Sequence, residues 1–221
     1  MSQIKAVIFD MDGLMFDTEP IYYKANQKTA DYLGMDFSFD TYTQFIGMGE
    51  VDYKEGMRQL YKDEKLLDEF FIKSNQVLEY LFFNGEIDMK EGLIELLEYL
   101  KNEDIPAVLA SSSGKKLVKE LLDRLELKEY FKDMIAGDEV ERAKPDPAIF
   151  NEAFKKTGIK EKKEVLVLED SKNGVLAAKD AKIPVIMIPD LLKADKEVKE
   201  KALDVYPNLK EVIHYIDKKN K

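Results

Sequence analysis

The chain of 221 residues contains no cysteine and a single histidine, His214. Without cysteine there is no thiolate nucleophile, no Cys-ligated zinc or iron–sulfur centre and no disulfide framework. One histidine cannot make a His pair or a multi-His metal site within one chain, and His214 reads as a helix-surface residue without a catalytic part. Acid–base work falls to Asp, Glu, Lys or Tyr, with carboxylates the commonest choice. Positive charge is also scarce: 34 Lys and Arg stand against 44 Asp and Glu, a net charge of −10. That balance argues against a nucleic-acid or anionic-membrane surface and toward small-molecule partners. No apolar run approaches a membrane span, and Met1-Ser2-Gln3-Ile4-Lys5 leads into a short strand rather than a signal sequence, so a cytoplasmic protein is expected. Internal repeats, low-complexity tracts and Ser/Pro linkers are missing too, and the Lys-rich tail 218–221 is expected to fray.

What is present is hydrophobic content of 45%, enough for a substantial core. Short aliphatic segments at Ala6 to Phe9, Ala107 to Ala110, Met134 to Ala136, Val165 to Leu168 and Val185 to Ile188 alternate with helical patterns. Leu93, Leu96, Leu97 and Leu100 keep a helical period, as do Leu117, Leu121, Leu122 and Leu125. The predicted fold is α/β, a parallel sheet flanked by helices, with a ligand crevice at the strands' carboxyl ends. Between the first two strands lies a long helical interruption without a convincing strand, which reads as an inserted all-helical subdomain. The expected division is residues 1–17 and 88–221 for the core and 18–87 for the insert. Its aromatics, Phe37, Phe39, Tyr42, Phe45, Phe70, Phe71 and Phe82, read as packing of a small helical bundle. Gly47-Met48-Gly49 interrupts that pattern as a loop facing the core.

Four motifs sit at predicted strand ends. Asp10-Met11-Asp12-Gly13 follows the first strand; two carboxylates two residues apart there either share a cation or merely close a turn. Ser111-Ser112-Ser113-Gly114 follows the second, either as an anion site of hydroxyls and free N–H groups or as an ordinary helix cap. Lys144-Pro145-Asp146-Pro147 places a lysine just before a helix that Asp146 and Pro147 are suited to start. Glu169-Asp170-Ser171 ends the fourth strand, where adjacent acids either bind metal or complement the helix dipole. Parallel strands would bring Asp10, Asp12, Ser111, Lys144, Glu169 and Asp170 to one edge of the sheet. Such a set suits a hard divalent cation, Mg²⁺, with Lys144 and Ser111 left for phosphoryl oxygens and a carboxylate as nucleophile.

These motifs, in this order and with the helical insert after the first, resemble those of the haloacid dehalogenase superfamily, in its phosphatase and β-phosphoglucomutase-like branch. Asp17-Thr18-Glu19-Pro20 agrees as well. The resemblance implies a Rossmann-like core, a helical cap that closes over substrate, and Mg²⁺-dependent phosphoryl transfer through a phospho-aspartate. It makes Asp10 the nucleophile and a metal ligand, and Asp12 the general acid–base, whose carbonyl also binds Mg²⁺. Ser111 and Lys144 would hold the transferring phosphoryl, with Thr18 and Ser112 as further substrate contacts. Glu169 and Asp170 would complete the metal site, Asp170 directly and Glu169 directly or through water. Asp12 must carry a proton when the leaving alkoxide departs, so its pKa is expected above the ordinary value of about 3.9.

An acid at position 12 favours phosphate-ester chemistry over the dehalogenase and phosphonatase branches. A mutase must hold a second phosphate with basic residues. Here Glu50 falls about where the mutase carries an arginine and Tyr22 about where it carries a histidine. The expectation is a phosphatase acting on a small phosphorylated, sugar-phosphate-like metabolite, as a monomer, with a phosphosugar mutase or a catalytically silent phosphate- and metal-binding protein as alternatives. A receiver domain shares acids and a lysine at strand ends but has no need of the insert. Lys182, in Ala181-Lys182-Ile183-Pro184, stands where relatives often place glycine after the helix, and is expected in a left-handed C-cap.

Overall fold

The structure, a computed structural model, describes residues 2–46 and 50–221, with the backbone alone at Glu50. The Gly47-Met48-Gly49 loop and the Glu50 side chain lie outside the described residues. In chain order the elements are β1 (Ala6–Phe9), α1 (Glu19–Leu33), α2 (Phe39–Thr43), α3 (Glu50–Tyr61), α4 (Glu64–Asn84), α5 (Leu93–Asn102), β2 (Ala107–Ala110) and α6 (Lys115–Arg124). There follow β3 (Phe131–Ile135), α7 (Ala148–Thr157), β4 (Val165–Glu169), α8 (Lys172–Asp180), β5 (Val185–Met187), α9 (Lys196–Lys201), β6 (Asp204–Val205) and α10 (Lys210–Asn220). The chain divides into two compact units, Asp17–Asp88 and Met1–Phe16 with Met89–Lys221.

In the second unit the described strands form one parallel sheet in the order β3-β2-β1-β4-β5-β6. This is the Rossmann-like α/β fold. Every residue of β1 and β4 is buried, as expected when helices cover both faces. Ala6 and Ile8 of β1, Val108 and Ala110 of β2, and Val165 and Val167 of β4 join one core cluster with Ile149 and Phe150 of α7 and Val175 of α8. The alternate residues, Val7, Phe9, Leu109, Leu166 and Leu168, are equally buried on the opposite face.

The sheet departs from expectation at its edges. β3 begins at Phe131 rather than Met134; its Lys132 and Asp133 are exposed, and an edge strand can carry such polar residues. β6 adds a sixth strand of two residues, too short to leave an apolar run. The Lys-rich tail does not fray: α10 runs to Asn220, whose side chain accepts from the Ile4 N–H at 2.8 Å and donates to the Ile4 carbonyl at 2.9 Å. His214 is exposed on that helix. Lys182 takes φ of 61° just after α8, the left-handed position expected for it.

In the other unit α1 packs along α4. Ala30, Met35, Phe37, Tyr42, Met57, Leu67, Phe70 and Phe71 form its core, with Phe45 packed against it, while Phe39 is exposed. Burying Asn26 and Ser74 on the α1–α4 face is tolerated because Ser74 donates to Asn26 at 2.5 Å. Tyr22 sets its ring edge-on to Phe82 at 5.7 Å. Among the described residues no helix is long and apolar enough to cross a membrane.

Candidate active site

Asp10 is the first residue beyond β1, and its N–H still donates to the Leu168 carbonyl at 3.0 Å. That bond extends the ladder by one residue and delivers the carboxylate to the carboxyl edge of the sheet between β2 and β4. Strand order reverses there, the usual place for a ligand crevice. Ser111 leaves β2 in the same way, donating its N–H to Ile135 at 3.1 Å, and Glu169 is the last residue of β4. Lys144 arrives from the segment before α7, which also holds a cis Lys144–Pro145 bond. Helix α7 has Pro147 at its N-cap, one residue later than the expected Asp146, whose side chain accepts from the Ala148 N–H at 2.9 Å just ahead of the helix.

Lys144 is not a solvated loop lysine. Its side chain is 7% exposed; Nζ donates to Asp10 and, at 2.7 Å, to Glu169, and lies 4.8 Å from the centre of the Phe150 ring. Glu169 is fully buried, and its second oxygen accepts from the Ser171 N–H at 2.8 Å and from the Ser171 hydroxyl at 2.9 Å. The Ser171 hydroxyl in turn accepts from the Gly174 N–H, so one residue caps α8 and anchors the carboxylate. A Cβ at position 174 would overlap the Glu169 carboxylate, which is why the first turn of α8 carries glycine. Asp12, half-buried, accepts from the Ser113 hydroxyl at 2.9 Å and from that of Ser111 at 3.4 Å. Ser113 was not singled out in the sequence; the run of three serines hid which hydroxyls meet Asp12. Ser112 is exposed and takes no such part, and Thr18 lies buried at the start of α1 in the helical unit.

Asp10, Glu169 and Asp170 each offer a carboxylate oxygen, and the three oxygens lie within 4.8 Å of one another. This all-oxygen set could hold a hard cation such as Mg²⁺, and Lys144 is set among three buried or half-buried acids, whose mutual repulsion a cation or protons would relieve. Burial pushes the Asp10 carboxyl up to about 8, with Glu169 adding to the rise and Lys144 opposing it. Burial also raises Asp170 well above its ordinary value, followed by the charges of Glu169 and Asp10. At these two carboxyls the metal-free folded chain holds more protons than the unfolded chain, for Asp10 between its ordinary value of 3.8 and about 8, so their contribution to stability declines as pH rises through that window. Differential scanning fluorimetry in EDTA is expected to show a falling melting temperature from about pH 5 to about 8. The increment from added MgCl₂ should grow over the same range, because a cation displaces those protons. A Mg²⁺ increment independent of pH would show that the acids are already ionised without metal.

Comparison with known proteins identifies the family. The family model of haloacid dehalogenase-like hydrolases matches residues 4–182. The chain belongs to that family. A phosphorylated carbohydrates phosphatase of Thermotoga maritima is 36% identical over 182 residues, covering 81% of this chain and 82% of the relative. A protein of Drosophila melanogaster named as a probable pseudouridine-5′-phosphatase is 31% identical, covering 86% and 84%. A crystal structure from Thermotoga maritima, described as that of a candidate β-phosphoglucomutase, superposes with a TM-score of 0.81 at 30% identity, covering 97% of this chain and 99% of its own.

Proposed function

We propose that the chain is a Mg²⁺-dependent phosphatase that hydrolyses a small phosphorylated, sugar-phosphate-like metabolite through an aspartyl-phosphate on Asp10. The observation that carries this reading is the bridge of Lys144 between Asp10 and Glu169, with Asp12, two residues after Asp10, held by serine hydroxyls from the end of β2. Relatives named as phosphatases support it. Asp10, Glu169 and Asp170, with the Asp12 carbonyl, would hold the cation, which supplies positive charge to the phosphoryl oxygens and lets a dianion approach a carboxylate. An Asp10 oxygen attacks phosphorus as the ester P–O bond breaks, and Asp12 gives its proton to the departing alkoxide. Water then attacks phosphorus and yields its proton to Asp12; the acyl phosphate bond breaks, inorganic phosphate leaves and Asp10 is restored. Ser111 and Lys144 hold the phosphoryl group through both steps, with Thr18 and Ser112 as outer contacts. The helical unit, Asp17–Asp88, is read as the cap that selects substrates.

The test is a panel of phosphorylated metabolites assayed for phosphate release with MgCl₂ and with EDTA, run beside isomerisation of β-glucose 1-phosphate. Metal-dependent release from sugar phosphates is the expected result. Isomerisation without net release would make the chain a mutase, and no turnover of any ester would make it a binding protein.

A further inference from the structure

Beside Asp10, Asp12, Glu169 and Asp170 lies a fifth acid that no motif announced. β5 lies beside β4, and the chain beyond it, Ile188-Pro189-Asp190, is tied to the site by the Ile188 N–H, which donates to the Glu169 carbonyl at 2.7 Å. Asp190 thus leaves the sheet at the same carboxyl edge, one strand farther on. Its side chain is 9% exposed, and one oxygen, Oδ1, accepts from Lys90 Nζ at 2.5 Å. The other oxygen turns toward Gly13. A Cβ on Gly13, whose φ is +80°, would overlap the Asp170 carboxylate and stand 3.3 Å from Asp190 Oδ2. Both carboxylates therefore border the space that a side chain at position 13 would occupy.

Lys90 is itself fixed. Its N–H donates to the Met15 carbonyl at 2.9 Å, and Met89 bridges to Phe16, so the backbone carrying Lys90 is bonded to the loop that follows Asp12. Three segments distant in sequence, 10–16, 89–90 and 188–190, meet beside Asp170. A solvated surface pair would contribute little, whereas this one sets a negative charge against a metal ligand, which is unfavourable unless a cation is shared.

We propose that Asp190 is a positioning residue of the metal site: held at Oδ1 by Lys90, it adds charge beside Asp170 and accepts from the cation's hydration shell through Oδ2. This rests on the Mg²⁺ reading above. Mg²⁺ keeps several waters when few carboxylates bind it, and acceptors for those waters strengthen binding without touching the ion. Lys90 then acts through Asp190, by orienting it.

The experiment is calorimetric titration of MgCl₂ into the full-length wild type, Asp190→Asn, Lys90→Gln and Asp170→Asn, with the melting temperature of each taken in EDTA. The expected result is about a tenfold loss of Mg²⁺ affinity in Asp190→Asn and a smaller loss in Lys90→Gln. Asp170→Asn should lose binding, and the first two variants should melt in EDTA within a few degrees of wild type. A purely structural pair would lower the melting temperature and leave affinity alone, which would overturn the proposal. Wild-type affinity in Asp190→Asn would also overturn it, or in Lys90→Gln should the first variant not fold. Absence of Mg²⁺ binding in the wild type would instead remove the metal reading and this inference with it.

Discussion

Asp10→Asn is expected to abolish phosphate release, by roughly 10⁴-fold or more, because an amide oxygen cannot take the phosphoryl group and the two-step route is closed. The fold should survive. Lys144 keeps its 2.7 Å contact with Glu169, and the amide oxygen can still accept from the lysine. The variant also removes a buried carboxylate whose ionisation is opposed by its surroundings. In EDTA near pH 8 it should therefore melt at or above the wild-type temperature, separating lost chemistry from lost structure. Acid-quenched wild type incubated with substrate should carry a phosphoryl adduct on the peptide containing Asp10, and the variant none. Residual turnover within tenfold of wild type would exclude Asp10 as nucleophile and, with it, the aspartyl-phosphate route.

The legible part of the fold is the part with an apolar signal. β1, β2, β4 and β5 are buried on both faces, so their runs are unbroken and their ends nearly coincide with the hydrophobic segments. β6 and the start of β3 left no such mark, since an edge strand needs only backbone pairing. The helical insert was readable through its aromatics, most of which are buried within that unit. In the site, Asp10, Ser111, Lys144 and Glu169 were visible because each follows or ends a strand or precedes a helix that the pattern marks. Ser113, Lys90, Asp190 and Gly174 were not. Lys90 and Asp190 are a hundred residues apart and meet only through strand order, and one lysine among many charged residues has no signature. Gly174 looks like any glycine in a helix until Glu169 is seen filling the place of its side chain.

Lys144→Met is expected to cost both activity and stability, and the stability loss tells more about the site. In the wild type one ammonium, shielded by the Phe150 ring, bridges two acidic side chains that are themselves buried. Without it, Asp10 and Glu169 face each other in a low-dielectric interior, and breaking such a network typically costs about 3–5 kcal/mol. The chain can escape part of that cost by taking up a proton, so the loss should be greatest near pH 8 and smaller near pH 5. Mg²⁺ offers the other escape. With the lysine gone, the cation is the remaining positive charge for these acids, and its stabilising increment in Lys144→Met should exceed that in the wild type. Turnover should nevertheless stay down by at least roughly 10²-fold at saturating Mg²⁺, since the metal cannot replace a donor aimed at the phosphoryl oxygens. Thermal melts across pH with and without MgCl₂, beside phosphate-release assays, separate these effects. A variant as stable as wild type in EDTA at pH 8 would mean that Asp10 and Glu169 do not depend on Lys144. Full turnover with Mg²⁺ would mean that the lysine serves the fold and not the phosphoryl group.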